Sequence, residues 1–429
     1  MNLVNEVAKN PAQVLLDLLN NTSPDYAVQL KQHSCSFQAQ LLTHVGHILL
    51  MKEEVRAWHE DINQSLKTLS RSPSDISQSL YSSPLFRSWL NQLATSLVSD
   101  NQNNALQDLM GLWNSMTYLS EDTAEKNIKL VDGYLVTWDV QKVFKLDGDT
   151  KLETCKCSLR YDRENTTLHV SEVDAPVHKL NQYQITHSKI TLSNANPLLR
   201  MKFNENMVPE RTGTTYFAQP DNSVINFPTN YNTNAYEIPY LLIKQHCPSI
   251  ANDIDQYISI IIPRGEPKGW TIHGYTISSY QGACWITDHS ILKNIETLAH
   301  EMGHIKLRYL EELIPIFESN NNDIRFPVPW RSDERPLIGI FEGVYVHTIA
   351  ATALYFVSQS PSLDTATIQK SHIRTLELIS DVRYGLDILL KHSKVTSIGA
   401  IFYQWIEQQC SELEHEVHKH SPSYKYRCG

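Results

Sequence analysis

Three features of the chain predict an α+β fold. Apolar residues recur with helical spacing at both ends, β-branched and aromatic segments separated by turn residues fill the middle, and the two kinds of segment do not alternate. Near the N-terminus, Val14, Leu15, Leu18 and Leu19 form one helical stripe and Leu41, Leu42, Val45, Ile48 and Leu49 a second. Further helices are expected across Ser79–Val98 and Leu106–Tyr118. The texture changes near Leu130, and strands are expected within Gly133–Val140, Leu152–Tyr161, Thr166–Val173, Lys189–Leu192 and Tyr257–Pro263. Asn and Pro punctuate Asn194–Asn232, which reads as loop. Helical spacing returns over Ile291–Phe317, Pro336–Val357, Thr365–His392 and Ser397–His418. The chain therefore divides into a helical region, residues 1–125, which either binds a leader peptide or packs on the core, and a β-rich plus helical catalytic domain, residues 126–429.

Composition narrows the class. Hydrophobic residues are 41% of 429, enough for a sizeable core, so global disorder is excluded. Lys and Arg number 37 against 47 Asp and Glu, and a net charge of −10 is the wrong sign for a general binder of nucleic acid or anionic membrane. Residues 1–20 lack a basic start and an unbroken apolar stretch, so they read as an amphipathic helix and not a signal peptide. The least polar long stretch, Val344–Val357, contains His347 and two Thr and is shorter than the roughly 20 residues needed to span a bilayer. Seven scattered cysteines, an odd number, argue against a disulfide framework and point to the cytoplasm. Cys155 and Cys157 share a strand face and read as ordinary strand cysteines before a metal or redox pair.

The chemistry concentrates in His300-Glu301-Met302-Gly303-His304, an H-E-x-x-H motif inside a strongly apolar helical pattern that Asp288 or Ser290 can cap. Four residues turn a helix by about 400°, so the two imidazoles lie about 40° apart on one face and can share a divalent cation. Glu301 stands beside them, placed to accept a hydrogen bond or move a proton. The next helix offers two candidates for a third ligand, Glu342 and His347. Five residues place them about 140° apart, so one or the other serves the ion. Glu342 gives two histidines and a carboxylate, the pattern of non-haem Fe(II) oxygenases and, with zinc, of peptidases; His347 gives three histidines. Glu342 is the favoured ligand at this stage. Between the helices, the Pro-rigidified run Phe326–Pro336 carries Arg331 and Arg335, which either fix a substrate carboxylate or pair locally with Asp333 and Glu334.

Four separate patches then agree in order and spacing with a known family. The runs Leu298–Leu307 (LAHEMGHIKL), Leu313–Ile316 (LIPI), Pro329–Pro336 (PWRSDERP) and Gly339–Tyr345 (GIFEGVY), preceded by Gly282–Ile286 (GACWI), resemble the HExxH-motif peptide-modification proteins. Those proteins accompany ribosomally made, post-translationally modified peptides and are described as 2-oxoglutarate-dependent peptide β-hydroxylases. The resemblance covers Tyr280–Val357; at Met302-Gly303 the chain departs from the aromatic or Gln residues common in that family, which puts the local packing in question. It implies Fe(II) on His300 and His304, a third ligand from the Glu342 helix, O2 and 2-oxoglutarate as co-substrates, and Arg331 or Arg335, the latter favoured, on the distal carboxylate. It also implies a precursor peptide as partner. The alternative is a zinc metallopeptidase with Glu301 as general base. The remaining histidines carry less: His44 and His47 read as core or boundary residues and His415, His418 and His420 as a solvated helix end, while His273 and His289 lie ahead of the metal helix, with lining of the substrate cleft the less favoured alternative for them.

Overall fold

The structure, a computed structural model, describes residues 3–72, 74–98, 103–117, 126–146, 154–161, 166–170, 177–180, 182–200, 226–265, 273–318, 324–331 and 333–420. Helices α1 (Leu3–Lys9), α2 (Pro11–Asn20), α3 (Pro24–Leu49), α4 (His59–Leu69), α5 (Ser74–Tyr81), α6 (Pro84–Val98), α7 (Asn103–Gly111) and α8 (Trp113–Thr117) come first. Strands β1 (Lys126–Val131), β2 (Tyr134–Val136), β3 (Val143–Leu146), β4 (Thr154–Tyr161), β5 (Thr166–Val170), β6 (Val177–Lys179), β7 (Tyr183–Gln184) and β8 (Thr191–Leu192) follow. Then come α9 (Asn234–His246), α10 (Pro248–Tyr257), β9 (Ile260–Arg264), β10 (Gly274–Thr276), β11 (Ala283–Thr287) and α11 (Ile291–Leu313). A short pair, β12 (Arg325–Phe326) and β13 (Arg335–Pro336), precedes α12 (Leu337–Ser358), α13 (Thr365–His392) and α14 (Ser397–His420). The α+β class holds, with helices at both ends and the strands between them.

Proline explains where the elements depart from the periodicity. The single helix expected over Ser79–Val98 is two, because Pro84 starts α6 and cannot continue α5. The segment Leu106–Tyr118 also splits, into α7 and α8, at Gly111-Leu112 and without a proline. Helices α9 and α10 stand where no helix was expected, and Tyr257 ends α10 instead of opening a strand. Pro239 lies inside α9 and has no N–H for the Ala235 carbonyl one turn back; Asn294 of α11 donates to that carbonyl at 2.8 Å instead. The same bond ties α9 to the motif helix.

A five-stranded sheet, ordered β10-β11-β9-β8-β7, separates two hydrophobic cores. Strands β8, β9 and β11 run parallel, while β7 and β10 are antiparallel edges. Alternate residues point to opposite faces, as strand geometry requires. Ile261, Cys284 and Ile286 join a core built from α9 to α14, whereas Ile260, Ile262, Ala283 and Trp285 join one built from α3 to α8. The first core also holds Leu3, Val14, Leu15, Leu18, Leu19 and Leu30, and Trp405 of α14 donates to Asn20 at 2.8 Å. The boundary expected near residue 125 therefore does not coincide with the division between cores. Arg87 reinforces the join: fully buried at the start of α6, it donates to the Tyr81 carbonyl, to Ser34 and to Gln281, and lies over the Tyr309 ring of α11. The strands β1 to β6 form a second sheet, ordered β5-β4-β1-β2-β3-β6 and antiparallel throughout.

Helix α12 is, among the described residues, the one helix long and apolar enough to cross a membrane, but 89% of that stretch is buried between its neighbours, so it acts as a core helix. Cys35, Cys247, Cys284 and Cys410 are free thiols, all buried; Cys155 and Cys157 lie on β4, but their side chains are outside the described residues. Because α2 shares a core with α9 to α14, Leu15→Ala is expected to cost about 2–5 kcal/mol and to lower one cooperative chemical-unfolding transition monitored by circular dichroism. An early, separate transition of the N-terminal helices would contradict a shared core.

Candidate metal centre

Helix α11 begins at Ser290, whose hydroxyl accepts from the Lys293 N–H at 3.4 Å, and is buried on most of its surface. One polar stripe interrupts it: Glu296, His300, His304 and Arg308, each four residues after the last and so nearly aligned. The outer members are tied to other helices. Glu296 takes a bidentate contact from Arg374 of α13, at 3.1 and 2.9 Å, and a third bond from Lys293 at 3.1 Å. Arg308 donates to Glu342 of α12 at 2.7 Å and to Glu311 at 2.9 Å. The two histidines are held between these clamps.

Gly303, inside the motif, lets α12 come close. A Cβ on that residue would stand 3.1 Å from Val346, the neighbour of His347. This approach brings the His347 ring to 5.5 Å from that of His300, while His300 and His304 are 5.0 Å apart, centroid to centroid. Two imidazoles holding one ion at about 2.0–2.1 Å in tetrahedral arrangement have centroids roughly 5 Å apart. The spacings of His304 and His347 from His300 are therefore near that of two ligands on one ion, although among the described residues no three His, Cys, Asp or Glu side chains form a ready-made metal group as they stand. Trp330 covers the other side of His347, with ring centroids at 5.1 Å. His300 and His304 keep partial solvent access while packed deep among other atoms, so they line a recess. Burial lowers His300 to about 4, against the opposing charge of Glu296, and holds His304 and His347 well below the usual range, with His300 adding to the lowering of those two. All three are neutral, the form that binds a metal.

Glu342, favoured from sequence as the third ligand, has another attachment. Its Oε1 accepts from Arg308, and its Oε2 stands 4.0 Å from His304 Nδ1. That is the place of a carboxylate orienting a ligand imidazole, and the geometry turns the preference to His347. Glu301 faces away from the stripe, toward β10. A Cβ at Gly274 would lie 2.9 Å from Glu301 Oε1, and the Thr276 hydroxyl bonds its carboxyl. Burial raises Glu301 to about 8, with the Arg264 guanidinium opposing.

Of the two loop arginines, both meet Asp333, Arg331 at 2.8 Å and Arg335 at 3.2 Å, while Glu334 is exposed. Arg335 is buried and close enough to His304 to lower its pKa; Arg331 is partly exposed. His273 and His289 pack edge to face, with centroids at 4.2 Å. His44 and His47 are exposed on α3 instead of lying in its apolar stripe, and His415, His418 and His420 sit at the solvated end of α14. Sequence reasoning missed Glu296, Arg308, Arg374 and Asp381. The first two were readable as the same four-residue stripe that carries the motif; the two α13 residues have no local signal.

Compared with models of protein families and with curated protein sequences, the chain matches none.

The raised Glu301 pKa has a measurable consequence. In the metal-free protein the folded state keeps a proton that the unfolded chain releases near 4.5, so this group's contribution to stability falls as pH rises from about 4.5 to about 8, then levels off. Glu301→Gln removes that dependence. The stability of the variant relative to the parent, from urea midpoints, is expected to increase between about pH 5 and about pH 9; a pH-independent difference would contradict the assignment.

Proposed function

We propose that the chain is an Fe(II)- and 2-oxoglutarate-dependent dioxygenase that hydroxylates the β-carbon of a residue in a ribosomally made precursor peptide, with His300, His304 and His347 as the iron ligands. One observation carries the reading: the rings of His304 and His347 lie 5.0 and 5.5 Å from that of His300, with buried Arg335 nearby, within the segment whose four patches resemble the HExxH-motif peptide-modification proteins.

When bound, Fe(II) with 2-oxoglutarate and O2 supplies the oxidising chemistry: one oxygen atom leaves in succinate alongside CO2, the other enters the substrate as hydroxyl. The protein's part is positioning and water exclusion. The clamps Glu296–Arg374 and Arg308–Glu342 fix the turns of α11 on either side of the histidines. Trp330 shields His347. Arg335 is placed to hold the distal carboxylate of 2-oxoglutarate, and Arg331 stands further out. A peptide substrate suits the sheet edge. β10 is an antiparallel edge strand packed on α11, and the His273 carbonyl accepts from Thr287 on β11, so alternation turns the main-chain groups of Gly274 and Thr276 outward. An extended peptide can pair with such an edge. Glu301, which burial pushes up to about 8 and whose carboxyl is bonded by Thr276, lies beneath this strand and is not an obligatory base in this reading.

A zinc metallopeptidase is the second reading, favoured by the place of Glu301 between the histidines and the same edge strand. Anaerobic addition of Fe(II) and 2-oxoglutarate separates the two. The oxygenase is expected to develop a weak visible charge-transfer band, lost in His300→Ala, His304→Ala and His347→Ala and kept in Glu342→Gln. Arg335→Ala should lower 2-oxoglutarate affinity roughly 10- to 100-fold, as for a lost charge-assisted contact, measured by titrating the band or by succinate formation. No band, tightly held zinc and peptide cleavage abolished by Glu301→Gln would establish the peptidase instead.

A further inference from the structure

Helix α13 carries no candidate ligand, yet one of its side chains points at the centre. Asp381 lies partly buried with a carboxylate oxygen 3.8 Å from His347 Nδ1. Among the described residues the Asp381 side chain makes no hydrogen bond, and this approach is its single contact with a basic nitrogen within 4.0 Å. His347 Nδ1 is itself buried and without a hydrogen-bond partner. Two polar groups that each cost free energy when buried alone thus face one another, slightly beyond bonding distance. Its neighbours on α13 are otherwise engaged: Glu377 meets Arg374, and Arg374 holds Glu296.

We propose that Asp381 is a positioning residue for the metal centre, taking the Nδ1–H of His347 as a hydrogen bond so that Nε2 is presented to the ion. The inference rests on His347 being a ligand. An imidazole that binds an ion through Nε2 must carry its proton on Nδ1, and a carboxylate acceptor there fixes both tautomer and ring orientation. Asp381 then does for His347 what Glu342, 4.0 Å from His304 Nδ1, is placed to do for that ring. A hydrogen bond there would tie α13 to the helix that carries His347.

The test uses the full chain and Co(II) alone, a spectroscopically visible stand-in for Fe(II). Affinity is measured by competition with a chromophoric chelator for the parent, Asp381→Ala, Asp381→Asn, Glu377→Ala and His347→Ala. Asp381→Ala is expected to weaken Co(II) binding about 10- to 100-fold, the usual effect of losing such a partner. Asp381→Asn, whose carbonyl can still accept, should lose less, and Glu377→Ala should bind as the parent does. Thermal unfolding of the metal-free proteins supplies the second readout: neither Asp381 variant should unfold at a lower temperature than the parent. Co(II) affinity unchanged in Asp381→Ala, while His347→Ala is impaired, would overturn the role of Asp381 and leave the metal centre standing. Unchanged affinity in His347→Ala would overturn the ligand assignment and the inference with it. Equal destabilisation of both metal-free Asp381 variants, with matching affinity losses, would reduce Asp381 to a structural residue.

Discussion

The structure turns on a polar stripe running along a helix that is otherwise buried. Glu296, His300, His304 and Arg308 occupy one line of α11, while the rest of the helix is largely buried against apolar neighbours, with Asn294, Glu301 and Lys306 each held by a polar partner. Charged groups in such a position require partners, because isolated burial of an ion is costly. Arg374 and Glu342 answer the two ends of the stripe and draw α13 and α12 onto it. The middle holds the two imidazoles, which burial keeps neutral. A pair of electron-rich nitrogens without protons, facing a recess, is the condition for taking up a cation.

Everything around the stripe limits how far these groups can move. Gly303 admits Val346 and thereby sets His347 beside His300. Asn294, on the same helix as the motif, closes the carbonyl that Pro239 leaves open and fixes α11 against α9. The five-stranded sheet is covered on both faces, and Arg87 links the N-terminal helices to the far side of α11 through Tyr309. The N-terminal helices therefore support the platform under the site, whatever else they bind.

The C-terminal half was legible because its signals are local. A long apolar period with Ser290 ahead of it defines α11, and Asp364 capping a run of helical residues defines α13, which spans the residues expected of it. The motif histidines were legible for the same reason. The choice proposed between Glu342 and His347 as third ligand was not, since the two share a helix and the choice depends on where Arg308 reaches, a contact across 34 residues of sequence. Asp381 and Arg374 were hidden more deeply, because a charged residue on an amphipathic helix reads as solvated face until tertiary packing turns it inward. Helices α9 and α10 each contain a residue that ordinarily interrupts a helix, yet Pro248 opens α10 and Pro239 is tolerated in α9 with help from Asn294.

The measurement that bears most directly on the metal centre is anomalous diffraction at the iron edge from crystals grown anaerobically with Fe(II). The arrangement of the three rings requires a peak within about 2.0–2.2 Å of one nitrogen each of His300, His304 and His347, with the Glu342 carboxylate still on Arg308. A peak whose third protein ligand is Glu342, or an ion bound elsewhere with the three imidazoles left empty, would contradict it.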